Sequence, residues 1–144
     1  MPEDVRTIGS SAFMKCTSLR SISIPSSVVY IESNAFNGCT NLQDFDMQEG
    51  VLEIESGAFM KCTSLRSISI PSSVVYIRSN AFSGCLKLLE VYFLGKTKDQ
   101  VQAMKSFSWS LKNNTSAVCT DGVLTIYNGN TLVKYEGSDE WTEV

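Results

Sequence analysis

Histidine is absent from the 144 residues of this chain. Its absence removes the side chain that most often serves as general acid or base near neutral pH and as a neutral metal ligand. Basic residues are also few, with 12 Lys and Arg against 15 Asp and Glu, so no phosphate-binding patch is expected. A membrane-spanning helix needs about 20 consecutive apolar residues, and no apolar run in the chain approaches that length. The composition therefore argues against a histidine-based active site, nucleic-acid binding and a membrane span.

The residues that are present are those of a folded domain. Apolar residues make up 43% and aromatic residues 10% of the chain, which excludes the composition of a disordered segment. A chain of this length is expected to form one domain with its own core. The motifs of P-loop nucleotide binding, dinucleotide binding, zinc-dependent hydrolysis and the G-x-S-x-G nucleophile are all missing. We therefore expect a protein that is not an enzyme and holds no cofactor or metal.

An internal repeat of 23 residues organises residues 1–93. Residues 12–31 recur without change as residues 58–77, and half of this offset is the true period. The unit reads V-x-x-I-x-x-x-A-F-x-x-C-x-x-L-x-x-I-x-I-P-x-x, and its length falls in the range of leucine-rich repeats. The columns of identical residues include Phe13, Phe36, Phe59 and Phe82; Cys16, Cys39, Cys62 and Cys85; and Leu19, Leu42, Leu65 and Leu88.

Each unit predicts one coil of a β-rich solenoid. The L-x-x-I-x-I segment has the alternation of a short strand, which the following proline ends. The Val-Val-Tyr-Ile segment is expected to be extended on the opposite side of the coil, and the Ala-Phe segment to form one helical or 3₁₀ turn. No coil can bury its apolar residues alone, so stacking of neighbouring coils makes the core. The unit at residues 28–50 departs most, with Phe45, Met47 and Gln48 at two strand positions and the proline position.

The repeat resembles the BspA-like leucine-rich repeat family of bacterial surface antigens, whose units read similarly through I-P-x-x-V-x-x-I-x-x-x-A-F-x-x-C. The resemblance covers residues 1–93 and continues to about residue 122 through residues 95–100, Trp109 and residues 119–122. It implies a leucine-rich repeat solenoid with a right-handed coil. It also implies a non-catalytic protein-interaction or adhesion module at a bacterial cell surface or in secreted form, with host or neighbouring-cell proteins as partners.

A different pattern follows the repeats. Thr97 and Gln100 have the spacing of a capping box, which predicts a short helix over residues 98–105 that covers the last coil. Two Asx-Gly pairs predict hairpin turns. Residues 117–120, 123–127 and 130–135 are therefore expected to form a three-stranded antiparallel meander, followed by a loose tail. We divide the single domain into a solenoid of about four coils, residues 1–93, and a capping segment, residues 94–144.

The cysteine column permits three interpretations. Metal sites need closely spaced cysteine pairs, which a step of 23 does not provide. Disulfides between stacked coils satisfy the distance, but side chains of one column point the same way, which is unfavourable for the S–S torsion. Reduced thiols buried in the core are the favoured interpretation. The Phe column likewise predicts core packing. Five nearby carboxylates are expected on different faces and not as an acid–base pair: Asp44, Asp46, Glu49, Glu53 and Glu55.

Outward-pointing strand positions form the candidate partner-binding surface, because repeat arrays bind partners through extended faces. These positions stack into columns across the coils, and Arg and Tyr are enriched in interface hot spots. A solvated polar face without a partner is the alternative for the same residues. The candidate residues are Arg20, Ser23, Gln43, Asp44, Asp46, Arg66, Ser69, Glu90 and Tyr92.

Two other functions stay open at this point. Tyr92, Trp109 and Trp141 are aromatic platforms on which sugars stack, so a carbohydrate-binding region is one alternative. The other is a structural spacer within a larger enzyme or surface protein.

The start of the chain predicts a piece of a longer array. Met1-Pro2 aligns with Ile24-Pro25, and no signal-peptide pattern precedes the first coil. We therefore expect residues 1–11 either to be loosely ordered or to pair with a second molecule, giving self-association through the open first coil.

Overall fold

Each repeat unit folds into one coil that contains two short strands. The computed structural model describes residues 1–104, 111, 115–127, 130–134 and 141–143. Coil 1 is residues 5–27, coil 2 residues 28–50, coil 3 residues 51–73 and coil 4 residues 74–96. The predicted β-solenoid is confirmed. Its strands in chain order are β1 (Thr7–Ile8), β2 (Ser21–Ile24), β3 (Tyr30–Ile31), β4 (Asp44–Met47), β5 (Glu53–Ile54), β6 (Ser67–Ile70), β7 (Tyr76–Ile77) and β8 (Glu90–Phe93).

The small sheet consists of β1, β3, β5 and β7, which pair in parallel in that order. Its strands come from the segments that the sequence predicts to be extended on the second side of the coil. Each strand ends in an isoleucine that pairs with the isoleucine of the next coil. These isoleucines are buried, while the residues before them face outward or are half-buried.

The main sheet lies on the other side of the coils and contains β2, β4, β6 and β8. Its strands alternate between outward and inward positions, and Ile24, Met47, Ile70 and Phe93 are buried at their last residue. β2 pairs in parallel with β4, and β6 pairs in parallel with β8. Within the described residues no pairing joins β4 to β6, so these two pairs are separate.

Consecutive turns connect the small sheet to the main sheet, where the sequence suggests a helical or 3₁₀ turn; that expectation is wrong. In coil 2 the N–H of Ala35 donates to Glu32 at 3.2 Å, and the N–H of Cys39 donates to Phe36 at 3.2 Å. Left-handed backbone at Asn34, with φ 59°, interrupts any helix. The N–H of Phe36 donates to Ala58 of coil 3 at 2.8 Å, so the donors that a helix would need are used between coils.

The core is a stack of phenylalanine rings along the solenoid axis. Ring centroids are 5.1 Å apart for Phe13 and Phe36, 5.5 Å for Phe36 and Phe59, and 5.6 Å for Phe59 and Phe82. The rings are nearly parallel, and all but Phe13 are fully buried. Each coil contributes one ring, and neighbouring coils lie about as far apart as paired strands. The rings therefore stack when the coils stack. The predicted packing role of the Phe column is confirmed.

A short helix follows coil 4. This helix, α1 (Lys98–Ala103), begins at the predicted capping box: the N–H of Gln100 donates to the Thr97 hydroxyl at 3.3 Å. It ends at residue 103, two residues before the predicted end, and buries Val101. The carboxylate of Asp121 accepts the N–H of Lys98 at 2.7 Å, which fastens the start of the helix to the following hairpin.

The C-terminal strands are β9 (Ser116–Cys119), β10 (Gly122–Tyr127), β11 (Asn130–Lys134) and β12 (Trp141–Glu143). β9 extends the main sheet, since it pairs in parallel with β8, and it pairs antiparallel with β10. Cys119 pairs with Gly122, so the tight turn falls on Thr120 and Asp121, one residue before the expected Asp-Gly pair. β10 also pairs antiparallel with β11, so the predicted three-stranded meander is confirmed. β12 adds a fourth strand by pairing antiparallel with β11, so the expected loose tail is wrong over residues 141–143.

Candidate functional site

The predicted partner-binding residues lie together on the outward face of the main sheet. Outward positions of paired strands are neighbours across the ladder: Ser23 pairs with Asp46, and Ser69 pairs with Tyr92. Arg20, Gln43 and Arg66 directly precede β2, β4 and β6, and all three are exposed. Six of the nine candidate residues thus lie at outward positions of the main-sheet strands and three directly precede these strands, and we call the surface of these nine residues the outward face.

Coils 1 and 2 supply an acidic half of the outward face. The carboxylate of Asp46 accepts the Ser23 hydroxyl at 2.8 Å and the side-chain amide of Gln48 at 3.0 Å. These two bonds hold the Asp46 side chain in one orientation while leaving it exposed. Asp44, two residues earlier on β4, points to the same side and is exposed as well. This half therefore presents two carboxylates, one of which is pre-oriented.

Coils 3 and 4 supply a half with aromatic and apolar side chains. The Tyr92 hydroxyl donates to the carboxylate of Glu90 on the same strand. This hydrogen bond raises the pKa of Tyr92, because ionisation of the phenol would remove the donor beside a carboxylate. Leu89, which occupies the column of Arg20 and Arg66, is 54% exposed. Tyrosine is enriched in interface hot spots, so Tyr92 is the candidate anchor of this half.

The two arginines of the outward face have fixed backbones and available guanidinium groups. The carbonyl of Arg20 accepts the N–H of Gln43 at 2.8 Å, and that of Arg66 accepts the N–H of Leu89 at 2.9 Å. In the described part of the chain the salt bridge found is between Arg78 and Glu53, at 3.3 Å and away from these arginines. Arg20 and Arg66 therefore present cations that no carboxylate neutralises within the described residues.

The cysteine column is a packing feature with its own hydrogen bonds. Three thiols donate to the phenylalanine carbonyl of the preceding coil: Cys39 to Phe13 at 3.0 Å, Cys62 to Phe36 at 3.2 Å and Cys85 to Phe59 at 3.0 Å. All five cysteines are unpaired in the structure, as expected. Cys16 is half-exposed, however, so the expectation that all four repeat cysteines are buried is wrong for coil 1. The reason is that the described chain places no coil on its upstream side.

The environment of Cys39, Cys62 and Cys119 makes these three thiols unreactive. Burial raises the pKa of Cys39 above its usual value. The pKa of Cys62 is also raised, first by its hydrogen bond with the Cys85 thiol and then by burial. Burial and the nearby Asp121 carboxylate raise the pKa of Cys119 to about 11. Because the thiolate is the nucleophile and the metal ligand, none of these three groups is activated near neutral pH.

The five neighbouring carboxylates are spread over different surfaces, as predicted. Asp44 and Asp46 belong to the outward face, whereas Glu53 lies on the small sheet. Glu49 lies in a turn, where it accepts the N–H of Ser72 at 2.9 Å and of Ser73 at 3.0 Å. Partial desolvation alone would raise the pKa of Glu49, but these hydrogen bonds lower it below its usual value. Over the described residues no group of three or more His, Cys, Asp or Glu side chains is arranged to hold a metal ion.

The small sheet carries an exposed apolar row that sequence reasoning missed. Tyr30, Leu52, Val75 and Tyr76 are each at least 40% exposed on its outer side. The guanidinium of Arg78 lies 4.7 Å from the centroid of the Tyr76 ring. The repeat contains the signal for this row. The first and last positions of Val-Val-Tyr-Ile belong to buried columns, so the two residues between them are expected to point outward.

Of the three aromatic side chains in the carbohydrate-binding alternative, the structure describes that of Tyr92. Tyr92 is half-buried on the outward face. Trp109 and the side chain of Trp141 lie outside the described residues. In the part of the chain that is described, no helix has the length and apolar character needed to cross a membrane.

Comparison with known proteins places the repeat in a family. A family model described as the BspA type leucine rich repeat region matches residues 1–118 with six copies. A leucine rich cell surface protein from Faecalibacterium prausnitzii A2-165 has a similar structure, with 28% identity and a TM-score of 0.68 over 75% of this chain and 34% of that chain. A leucine rich repeat protein from T. pallidum is 30% identical with a TM-score of 0.53, over 65% of this chain and 56% of that chain. No curated protein matches the sequence.

The chain spans 34% and 56% of the lengths of these two solved proteins. The family match, by contrast, extends through all four coils, α1 and most of β9. The columns that define the repeat are those that the structure buries as its core. This chain therefore belongs to the BspA-type leucine-rich repeat family.

Proposed function

We propose that the chain is a non-catalytic protein-binding module of a bacterial cell-surface or secreted protein, and that the outward face is its binding surface. Membership of the family and the similarity to a cell surface protein support the setting. The observation that carries the binding role is the arrangement of Arg20, Arg66 and Tyr92 on one exposed sheet face. Arg and Tyr are the residues on which interfaces most often depend.

Within each of its two strand pairs, the backbone of the outward face is preorganised for binding. Ladder hydrogen bonds within the pairs β2–β4 and β6–β8 hold the columns in register, so little backbone ordering remains to oppose association. Exposed Asp44, Asp46 and Glu90 lie beside the two arginines, so the surface offers charges of both signs. Such a surface selects a partner by charge complementarity and gains affinity from the aromatic and apolar side chains of Tyr92 and Leu89.

The experiment compares Arg20→Ala/Arg66→Ala with the parent chain on a panel of purified extracellular and cell-surface proteins, and on a glycan array in parallel. Arg6→Ala is the matched control, because Arg6 is an exposed arginine that precedes β1 on the small-sheet side. Loss of two hot-spot arginines is expected to weaken binding to a protein target at least about tenfold. The control is expected to bind as the parent does, and both variants to melt at the parent temperature.

Two results contradict the proposal. Equal binding by the double variant and the parent would assign the contact to another surface. Binding to glycans alone would favour the carbohydrate-binding function.

A further inference from the structure

The main sheet is interrupted between coil 2 and coil 3, at a junction of β4 and β6 that we call the seam. Four residue pairs join β2 to β4, and four join β6 to β8, but none joins β4 to β6. The N–H of Gln43 donates to Arg20 at 2.8 Å, and the N–H of Leu89 donates to Arg66 at 2.9 Å. The corresponding bond from Arg66 to Gln43 is missing, although both residues are described.

The same two coils stay joined everywhere else. On the small sheet Tyr30 pairs with Glu53, and the N–H of Leu52 donates to Val29 at 2.9 Å. In the turns the N–H of Gly38 donates to Met60 of coil 3 at 2.8 Å. The seam is therefore a break in the hydrogen-bond ladder on one side of a junction that is bonded on its other sides, and a one-sided break of this kind is what a hinge requires.

Phe45 lies at the seam and differs from its counterparts in the other coils. Its strand position holds isoleucine in coils 1 and 3 and valine in coil 4. The Phe45 ring packs edge-on against two rings of the core stack, 4.9 Å from Phe36 in its own coil and 4.7 Å from Phe59 in coil 3. A ring that reaches into the next coil needs more space than an aliphatic side chain, and close-packed cores accommodate extra volume by shifting backbone.

We propose that Phe45 turns the seam into a hinge in the main sheet, about which coils 1–2 and coils 3–4 change their mutual angle. The hinge divides the outward face, with Arg20 and Asp46 on one side and Arg66 and Tyr92 on the other. This consequence for binding rests on the proposed function. A protein that contacts both sides fixes the angle, so its affinity depends on how freely the seam opens.

Amide hydrogen exchange followed by NMR tests the hinge without any ligand, so its outcome is independent of the proposed function. The seam leaves the N–H groups of Arg66 and Ser67 without the ladder bonds that their counterparts make. Those counterparts are Leu89 and Glu90, which both donate to the carbonyl of Arg66. After correction for intrinsic rates, Arg66 and Ser67 are expected to exchange at least about tenfold faster than this reference pair. Exchange within about threefold of the reference would overturn the proposal.

Phe45→Ile tests the cause, because it restores the residue of coils 1 and 3. The readout is the ratio of Arg66 exchange to Leu89 exchange, which cancels any change in global stability. We expect the ratio to fall about tenfold in this variant and to stay constant in the control Val91→Ile, which changes the same position of coil 4. An unchanged ratio in Phe45→Ile would overturn the role of Phe45. If that variant fails to fold, Phe45→Val provides the same test.

Discussion

At the scale of single residues, the burial of a side chain in this solenoid depends on the coils that lie on either side of it. Phe36 and Phe59 occupy the same repeat position, and each is enclosed between rings of the neighbouring coils. Phe13 has the same neighbours in sequence but a ring on only one side, and it is partly exposed. Burial therefore depends on the coils that flank a residue and not on the residue's local sequence.

Replacing Phe59 with alanine is expected to lower the free energy of unfolding by about 3–5 kcal/mol, because a cavity opens in the middle of the ring stack. Phe59 contacts the rings of Phe36, Phe45 and Phe82, all of which would lose a packing partner. Urea titration of the variant and the parent measures the difference. Phe13→Ala is the comparison and is expected to cost clearly less. A loss below about 1 kcal/mol for Phe59→Ala would show that the stack does not carry the core.

At the scale of elements, the strands are so short that hydrogen bonds between coils define them. β3 and β7 contain two residues each, and their ladder partners belong to neighbouring coils. Side chains add further links across the same junctions. Glu49 of coil 2 accepts the N–H groups of Ser72 and Ser73 at the turn of coil 3, so a carboxylate serves as a clamp between two turns.

The Glu49 clamp predicts a pH-dependent contribution to stability. Its hydrogen bonds lower the pKa of Glu49 below the usual 4.5, so the folded chain holds a proton less tightly than the unfolded chain does. The stabilisation is therefore complete above the usual pKa and is lost as the pH falls through the lower, folded value. We expect Glu49→Gln to be less stable than the parent at pH 7 and the gap to shrink on acidification. Thermal melts at several pH values check this, and a gap independent of pH would contradict it.

The capping helix shows how far local patterns reach. The Thr97 and Gln100 pair predicted both the presence and the start of α1, because a capping box is satisfied within four residues. The turns between the sheets differ from the predicted helical turn because alternate N–H donors, such as those of Phe36 and Gly38, bind carbonyls of the next coil. The pairing of β12 with β11 was also missed, because an edge strand is recognised by the strand that it pairs with and not by its own sequence.

At the scale of the whole molecule, solvent access to one repeat column changes along the solenoid axis. Cys16 in coil 1 is half-exposed, whereas Cys39, Cys62 and Cys85 are buried. Stability in such arrays is the sum of coils and their nearest-neighbour contacts, so the flanking coils decide the environment of each residue. Self-association through coil 1 stays a prediction.

Timed thiol labelling followed by mass spectrometry is expected to report this gradient. Cys16 should label first in the native chain, and the three buried thiols should label slowly because the core shields them from the reagent. The raised pKa values of Cys39 and Cys62 also keep these two thiols protonated. In denaturant all five thiols should react, since none is paired. Fewer than five reactive thiols after unfolding would reveal a disulfide. Simultaneous labelling of Cys16 and Cys62 would contradict the gradient.

The repeat period alone determined the number of coils, the buried columns and the residues that share the outward face. The period determines these features because inward and outward positions recur every 23 residues. Each further unit therefore supports the same choice of inward or outward for a given position. Tertiary structure decided the rest. The exposure of Cys16 depends on the coils around it, and the strand at residues 141–143 depends on the edge of β11. The missing ladder between β4 and β6 lies at the junction where the Phe45 ring packs against Phe59 of the next coil, and such a contact is set by the volumes packed between coils and not by the period.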